Sequence, residues 1–269
     1  MPHSAPMPTW FIPHGAGPCF FMEWNPPDAW YRTADFLKGL EKTLPERPAA
    51  IVMVSAHWLE STFSVTGGSN PDLIYDYYGF PEHTYGLQYP VKGSPTLANA
   101  IVQRLKDLGI PVSNNPTRGF DHGMFIPMML MFPNADIPVV QLSLNGNLDP
   151  QTHLEMGRAL APFRDEGVLM IGSGMSFHNM RGYGKPQFGP ISDTFDAWLT
   201  QTVESDPLTR NEGLTQWASA PSARQSHPPG GEEHLLPLLV VAGAASNGIG
   251  KRVFTDRVLE TTLSAFAFN

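Results

Sequence analysis

The stretch AAIVMVSAHW, residues 49–58, carries no charged side chain ahead of His57 and is rich in β-branched and other apolar residues. A strand with one face in water would alternate polar and apolar positions. This run does not, so it reads as a strand buried on both faces, the kind found in a parallel sheet covered by helices. It then ends on a histidine, whose ring nitrogens need partners wherever they are buried.

Similar runs lie on either side: TWFIP at 9–13, DIPVVQLSL at 136–144 and VLMIGSG at 168–174. Helical spacing separates them. Residues 28–43 place Trp30, Phe36, Leu37 and Leu40 on one face, and Pro45 and Pro48 close that segment. In SPTLANAIVQRLKDLG, Ser94 reads as N-cap and Pro95 as the first helical residue. Leu97, Ile101, Leu105 and Leu108 form the apolar face, and Gly109 the stop. Further helices are expected over 150–163, 190–204 and 232–245, then a short strand and an alternating tail. Strands alternating with helices predict an α/β fold, a three-layer sandwich with a largely parallel central sheet flanked by helices. Neither 59–95 nor 180–190 reads as a hinge, so one domain is expected over residues 1–269.

Composition narrows the function. Of 269 residues, 42% are hydrophobic and 16% charged, the balance of a globular chain. The formal net charge of −8, without a long basic run, argues against nucleic acid and anionic membranes as partners. The single cysteine, Cys19, rules out an internal disulfide and a Cys-rich zinc site. LLPLLVVAGAA at 235–245 is too short to span a bilayer, and no basic segment leads into an apolar leader. A cytoplasmic protein is expected; a homo-oligomer is left open.

Five of the nine histidines share a setting. His14 follows the first strand, in IPHGAGP. His57 ends the second, and His178 lies just past the fourth, in GSGMSFHN. Ligands of open parallel sheets bind beyond the carboxyl ends of the strands. His122, in DHGMFIPM, and His234, in GGEEHLLPLL, each open an apolar helical segment that faces the same edge. Several neutral imidazoles without cysteine suit Fe(II), Zn or Cu. His3, His83 and His153 read as surface or structural, and His227 as a loop residue that is structural or lines a pocket.

A serine hydrolase is the competing reading. GSGMSFH places Ser176 in a damaged nucleophile elbow, with His234 as base and Asp193 or Asp196 as the orienting acid. Against it, Gly182, Gly184 and Pro186 oppose the helix that must follow the serine, and His57 and His122 are left without a role.

Taken in order, IPHGAGP, VSAHW, DHGMFIPM, GSGMSFHN and EEHLLPLLVVAGAA resemble the class III extradiol ring-cleavage dioxygenases, in the small single-chain branch acting on DOPA-like catechols. The likeness spans roughly residues 8 to 264. It implies a non-haem metal, Fe(II) for activity with Zn readily found instead, a catechol-type aromatic substrate and O2. It also implies His14, His57 and His234 as metal ligands. His178 would be the acid/base or a fourth ligand, and His122, also catalytic, would contact the substrate or the oxygen-derived intermediate and stabilise developing negative charge. Glu232 and Glu233 stand beside His234, which leaves a carboxylate ligand open. HGAGP departs from the branch's more usual HGSP, so Ala16 and Gly17 would alter the pocket floor. Trp58 and Phe125, neighbours of two of the histidines, are expected to shape the substrate pocket, as is His227. Tyr78 and Tyr85 are candidates for a lid.

Overall fold

Apolar runs without polar alternation become the centre of the sheet. The computed structural model describes residues 5–269, so His3 lies outside the described residues. The strands are β1 (Thr9–Pro13), β2 (Ala50–Glu60), β3 (Phe63–Thr66), β4 (Leu73–Ile74), β5 (Val112–Asn115), β6 (Phe120–Asp121), β7 (Val139–Asn145), β8 (Val168–Gly174), β9 (Gly250–Val258) and β10 (Thr261–Phe268). The helices are α1 (Tyr31–Gly39), α2 (Pro95–Asp107), α3 (His122–Met131), α4 (Pro150–Leu160), α5 (Gly189–Val203), α6 (Pro207–Thr215), α7 (Ala223–Ser226) and α8 (Leu236–Ala244).

Eight strands form one sheet in the order β5-β3-β7-β2-β8-β1-β10-β9. Its centre, β7-β2-β8-β1, is parallel throughout, whereas β10 joins β1 antiparallel and β9 joins β10 antiparallel. β3 pairs antiparallel with β7 and parallel with β5. The alternating tail is thus a hairpin that extends the sheet at one edge. The short strands β3 to β6 fall in segments with no extended apolar run.

Side chains along each central strand alternate between two cores. Val52, Val54, Phe11 and Met170 pack with Ile101, Leu154, Leu199 and Leu239 of the helices on one face. Ile51, Met53, Trp10, Ile12, Leu169 and Ile171 pack with Leu37 of α1 and Met124, Phe125 and Met128 of α3 on the other. Each such buried apolar side chain is worth about 1.5–3 kcal/mol relative to exposure, and both faces of the sheet are covered in this way. Among the described residues no helix is long and apolar enough to cross a membrane.

Candidate metal centre and active site

Five histidines meet at the carboxyl edge of the parallel strands. His14 continues the β1 register, its backbone N–H donating to the Gly174 carbonyl at 3.3 Å. The chain then turns sharply: Gly15 and Gly17 have φ of +85° and +53°. A side chain at Gly15 would put its Cβ 2.5 Å from Cys19 Sγ, so the glycine permits both the left-handed turn and the close packing. His57 sits where the β2–β7 register shifts between Val54 and Leu59, an irregularity that re-aims side chains near a site.

A buried polar network ties the end of β2 to the start of α3. Asp121, fully buried, accepts from Ser55 Oγ at 2.7 Å, from Arg118 at 3.1 Å and from Gln141 Nε2. Ser55 Oγ also accepts from the His57 N–H at 3.2 Å. Gly123 follows His122 because a Cβ there would lie 2.5 Å from Ser55 Oγ and 3.0 Å from the His57 ring. His178 is fixed by its N–H donating to the Ser226 carbonyl at 3.0 Å, and the His234 carbonyl accepts from the Met175 N–H at 2.9 Å. His234 lies in the turn before α8, which begins at Leu236 rather than at the expected 232.

The imidazoles are close. Ring centroids lie 4.8 Å apart for His14 and His57, 5.2 Å for His14 and His234, and 4.9 Å for His57 and His234. His122 is 3.9 Å from His57, and His178 stacks on His234 at 3.4 Å. One ligand atom from each of His14, His57 and His234 fits within a span of 4.8 Å. Both ring nitrogens of His14 and the Nε2 of His57 and of His234 are buried without a hydrogen-bond partner. Burial of so many polar atoms without partners costs stability, and a metal would satisfy one nitrogen of each of the three rings together. Burial first, then neighbouring imidazoles, hold His14 and His234 well below the usual histidine range and bring His57 down to about 3. Burial brings His178 down to about 4. Neutral imidazoles keep the lone pairs that a metal requires. The donor set therefore fits a metal ion of the imidazole-binding class.

Two carboxylates stand behind the rings. Glu233 Oε1 is 2.8 Å from His234 Nδ1 and 3.7 Å from His178 Nδ1. Asp76 Oδ1 is 2.9 Å from His122 Nδ1 and also accepts from the His122 N–H, while its Oδ2 is 3.7 Å from His57 Nδ1. Carboxylates in this position fix the tautomer of a ligating histidine and raise its basicity. Sequence reasoning missed Asp76; its only signal is an acid between tyrosines in the long 59–95 loop.

A cavity of about 390 Å³ opens onto the cluster and is lined by all five histidines. Three residues expected in its wall are elsewhere. Trp58 points the other way from His57, as neighbours on a strand must; it is buried, its indole N–H donates to Glu60 Oε1 at 2.9 Å, and Arg118 lies over its ring. Phe125, a turn further into α3 than His122, packs in the core against Tyr75. His227 is fully buried between Phe195 and Trp217, with Nε2 3.0 Å from the Ser176 carbonyl. The aromatic wall comes instead from Trp24, Trp30, Tyr77, Tyr78 and Phe80. Tyr85 packs against Tyr77 behind that wall.

The hydrolase reading fails on geometry. Ser176 is buried, its Oγ accepts from the Ser264 N–H at 2.8 Å, and no helix follows it before Pro186. Asp193 is engaged with Arg257 at 2.9 Å, and Asp196 with Arg252 at 2.9 Å.

Known proteins agree. Residues 8–267 match the family described as the catalytic LigB subunit of aromatic ring-opening dioxygenase. A dioxygenase of Hapsidospora irregularis, tasH, is 44% identical over 79% of this chain and 69% of its own. The 4,5-DOPA dioxygenase extradiol of Beta vulgaris is 39% identical over 88% and 86%, and that of Escherichia coli K12 36% over 90% and 86%. The crystal structure of an uncharacterized Escherichia coli K12 protein superposes with a TM-score of 0.79, at 31% identity, covering 98% of this chain and all of that one. A histidine cluster at the strand ends, carried on a chain matched almost end to end, makes this a member of the LigB family: an extradiol, ring-cleaving dioxygenase.

Proposed function

We propose that His14, His57 and His234 hold a non-haem metal, Fe(II) in the active enzyme with Zn able to take the same place, and that the substrate is a ring-substituted catechol. The observation that supports this reading best is the set of buried, unpartnered nitrogens on these three residues, all aimed within a few ångströms of one another. The relatives named for DOPA, a catechol with an amino-acid side chain, support the substrate class. When bound, such a metal would orient both catechol oxygens and O2 and support electron transfer between them.

The protein's own groups would manage protons and charge. His178, neutral and beside the cavity, takes a proton from the catechol and returns it during ring opening. Glu233 stabilises the imidazolium that forms, 3.7 Å away. Asp76 holds the His122 Nδ1–H, which leaves Nε2 to accept a hydroxyl proton; the resulting imidazolium–carboxylate pair then stabilises negative charge developing on the substrate. The cytoplasm is the compartment that fits one buried, free cysteine.

Isotopically labelled O2 supplied with a 4-substituted catechol tests the reaction. A yellow semialdehyde is expected with one labelled atom held in its carboxylate and the second in the aldehyde, from which it exchanges with water. A colourless diacid, cleaved between the hydroxyls, would overturn the extradiol assignment.

A further inference from the structure

The cavity wall away from the histidines is made of Trp24, Trp30, Tyr78, Phe80, Met180 and Leu259, among others. Among the described residues no lysine, arginine, aspartate or glutamate lines it. Two of the lining tyrosines have their hydroxyls already used: Tyr77 donates to the Thr84 carbonyl at 2.6 Å and Tyr183 to the Phe177 carbonyl at 2.8 Å. The indole N–H of Trp30, buried and unpartnered, is a neutral donor. The carboxylates Asp76 and Glu233 sit behind His122 and His234 and add negative charge on the cluster side. Arg181 follows Met180 in the chain but is exposed and does not line the cavity.

We propose that the preferred catechol carries an uncharged, apolar ring substituent, an alkyl or aryl group, rather than the carboxylate or amino acid of DOPA. This rests on the ring-cleavage reading above. A substituent carboxylate entering this wall would lose water and gain no cation, whereas an apolar group gains contact with aromatic and methionine side chains. Catalysis then favours substrates whose distal part contributes binding at the wall.

The test compares 4-propylcatechol, dopamine, 3-(3,4-dihydroxyphenyl)propanoate and L-DOPA near neutral pH. Two quantities are read: kcat/KM with Fe(II)-reconstituted enzyme, and Kd for the Zn(II)-loaded protein, which has no redox chemistry, by quenching of tryptophan fluorescence. The expected result is that 4-propylcatechol leads the propanoate and L-DOPA by at least about tenfold, the size of effect a difference of 1.4 kcal/mol produces. Met180→Arg, at a rim position 70% exposed, narrows that lead by supplying the missing cation. Equal or better use of the charged catechols overturns the proposal, as does dopamine leading the series or a lead unmoved by Met180→Arg. Should no catechol be turned over while the Kd order holds, the ring-cleavage reading falls and the proposal about the wall stands.

Discussion

The Oε1 of Glu233 lies 2.8 Å from Nδ1 of His234 and 3.7 Å from Nδ1 of His178, so one carboxylate serves a proposed metal ligand and the proposed acid/base together. That arrangement explains why the acid sits next to His234 in sequence yet leaves the ligand's Nε2 free. Replacing it with an amide keeps the shape and removes the charge. Glu233→Gln is expected to weaken metal affinity by about 10- to 100-fold, read by competition with a chromophoric chelator. Unchanged affinity would deny the carboxylate any influence on the ligand.

His178→Ala separates the ligand and acid/base roles. Turnover should fall by roughly 100- to 10,000-fold while metal content, measured by elemental analysis, is retained. Parallel loss of metal would make His178 a ligand instead.

Asp76→Asn removes the charge that holds His122 by two contacts of 2.9 Å. A fall in kcat of about 10- to 100-fold is expected, with an unfolding midpoint close to that of the parent. Rescue by Asp76→Glu would be a sign of positioning by charge rather than of packing.

The pH dependence of folding follows from the buried imidazoles. Burial brings His227 down to about 3 from a usual value near 6.5. A histidine whose folded pKa is depressed binds fewer protons in the folded than in the unfolded chain between those two values. Its penalty is absent above pH 6.5 and grows as pH falls towards 3. Stability of the metal-free protein should therefore drop by several kcal/mol across that window, at about 1.4 kcal/mol per pH unit for each such group. Urea unfolding of His227→Phe against the parent, from pH 7 to pH 4, should show a shallower slope in the variant.

The parallel centre of the fold was legible because its strands are buried on both faces and hence uniformly apolar; β8 is found over the very residues expected. The cap of α2 was legible for a local reason, with Ser94 Oγ accepting from the Leu97 N–H at 3.4 Å. The five clustered histidines were legible through topology, since strand ends in a parallel sheet share an edge. Asp76, Trp24, Tyr77 and Phe80 were not, because loops crossing the edge carry no periodicity; among residues 77–80 the sequence singles out Tyr78 alone, and it lines the cavity. Trp58 and Phe125 were placed in the pocket by adjacency in sequence; strand alternation sends the first to the opposite face, and helix geometry carries the second a turn away into the core.

Ser176→Ala distinguishes structure from catalysis at the abandoned nucleophile. Loss of the hydroxyl leaves the buried Ser264 N–H unpartnered, at a cost of about 1–3 kcal/mol. Ring cleavage per folded molecule should be unchanged. Ester hydrolysis abolished by this substitution would revive the hydrolase.

The most direct measurement is anaerobic reconstitution with Fe(II), followed by 4-propylcatechol in air, with oxygen uptake and visible absorbance followed together in the parent protein and in His14→Ala. Uptake with a new yellow absorbance in the parent, and neither in His14→Ala, is the expected result. Uptake and colour of equal size in His14→Ala would contradict a metal centre built on His14, His57 and His234.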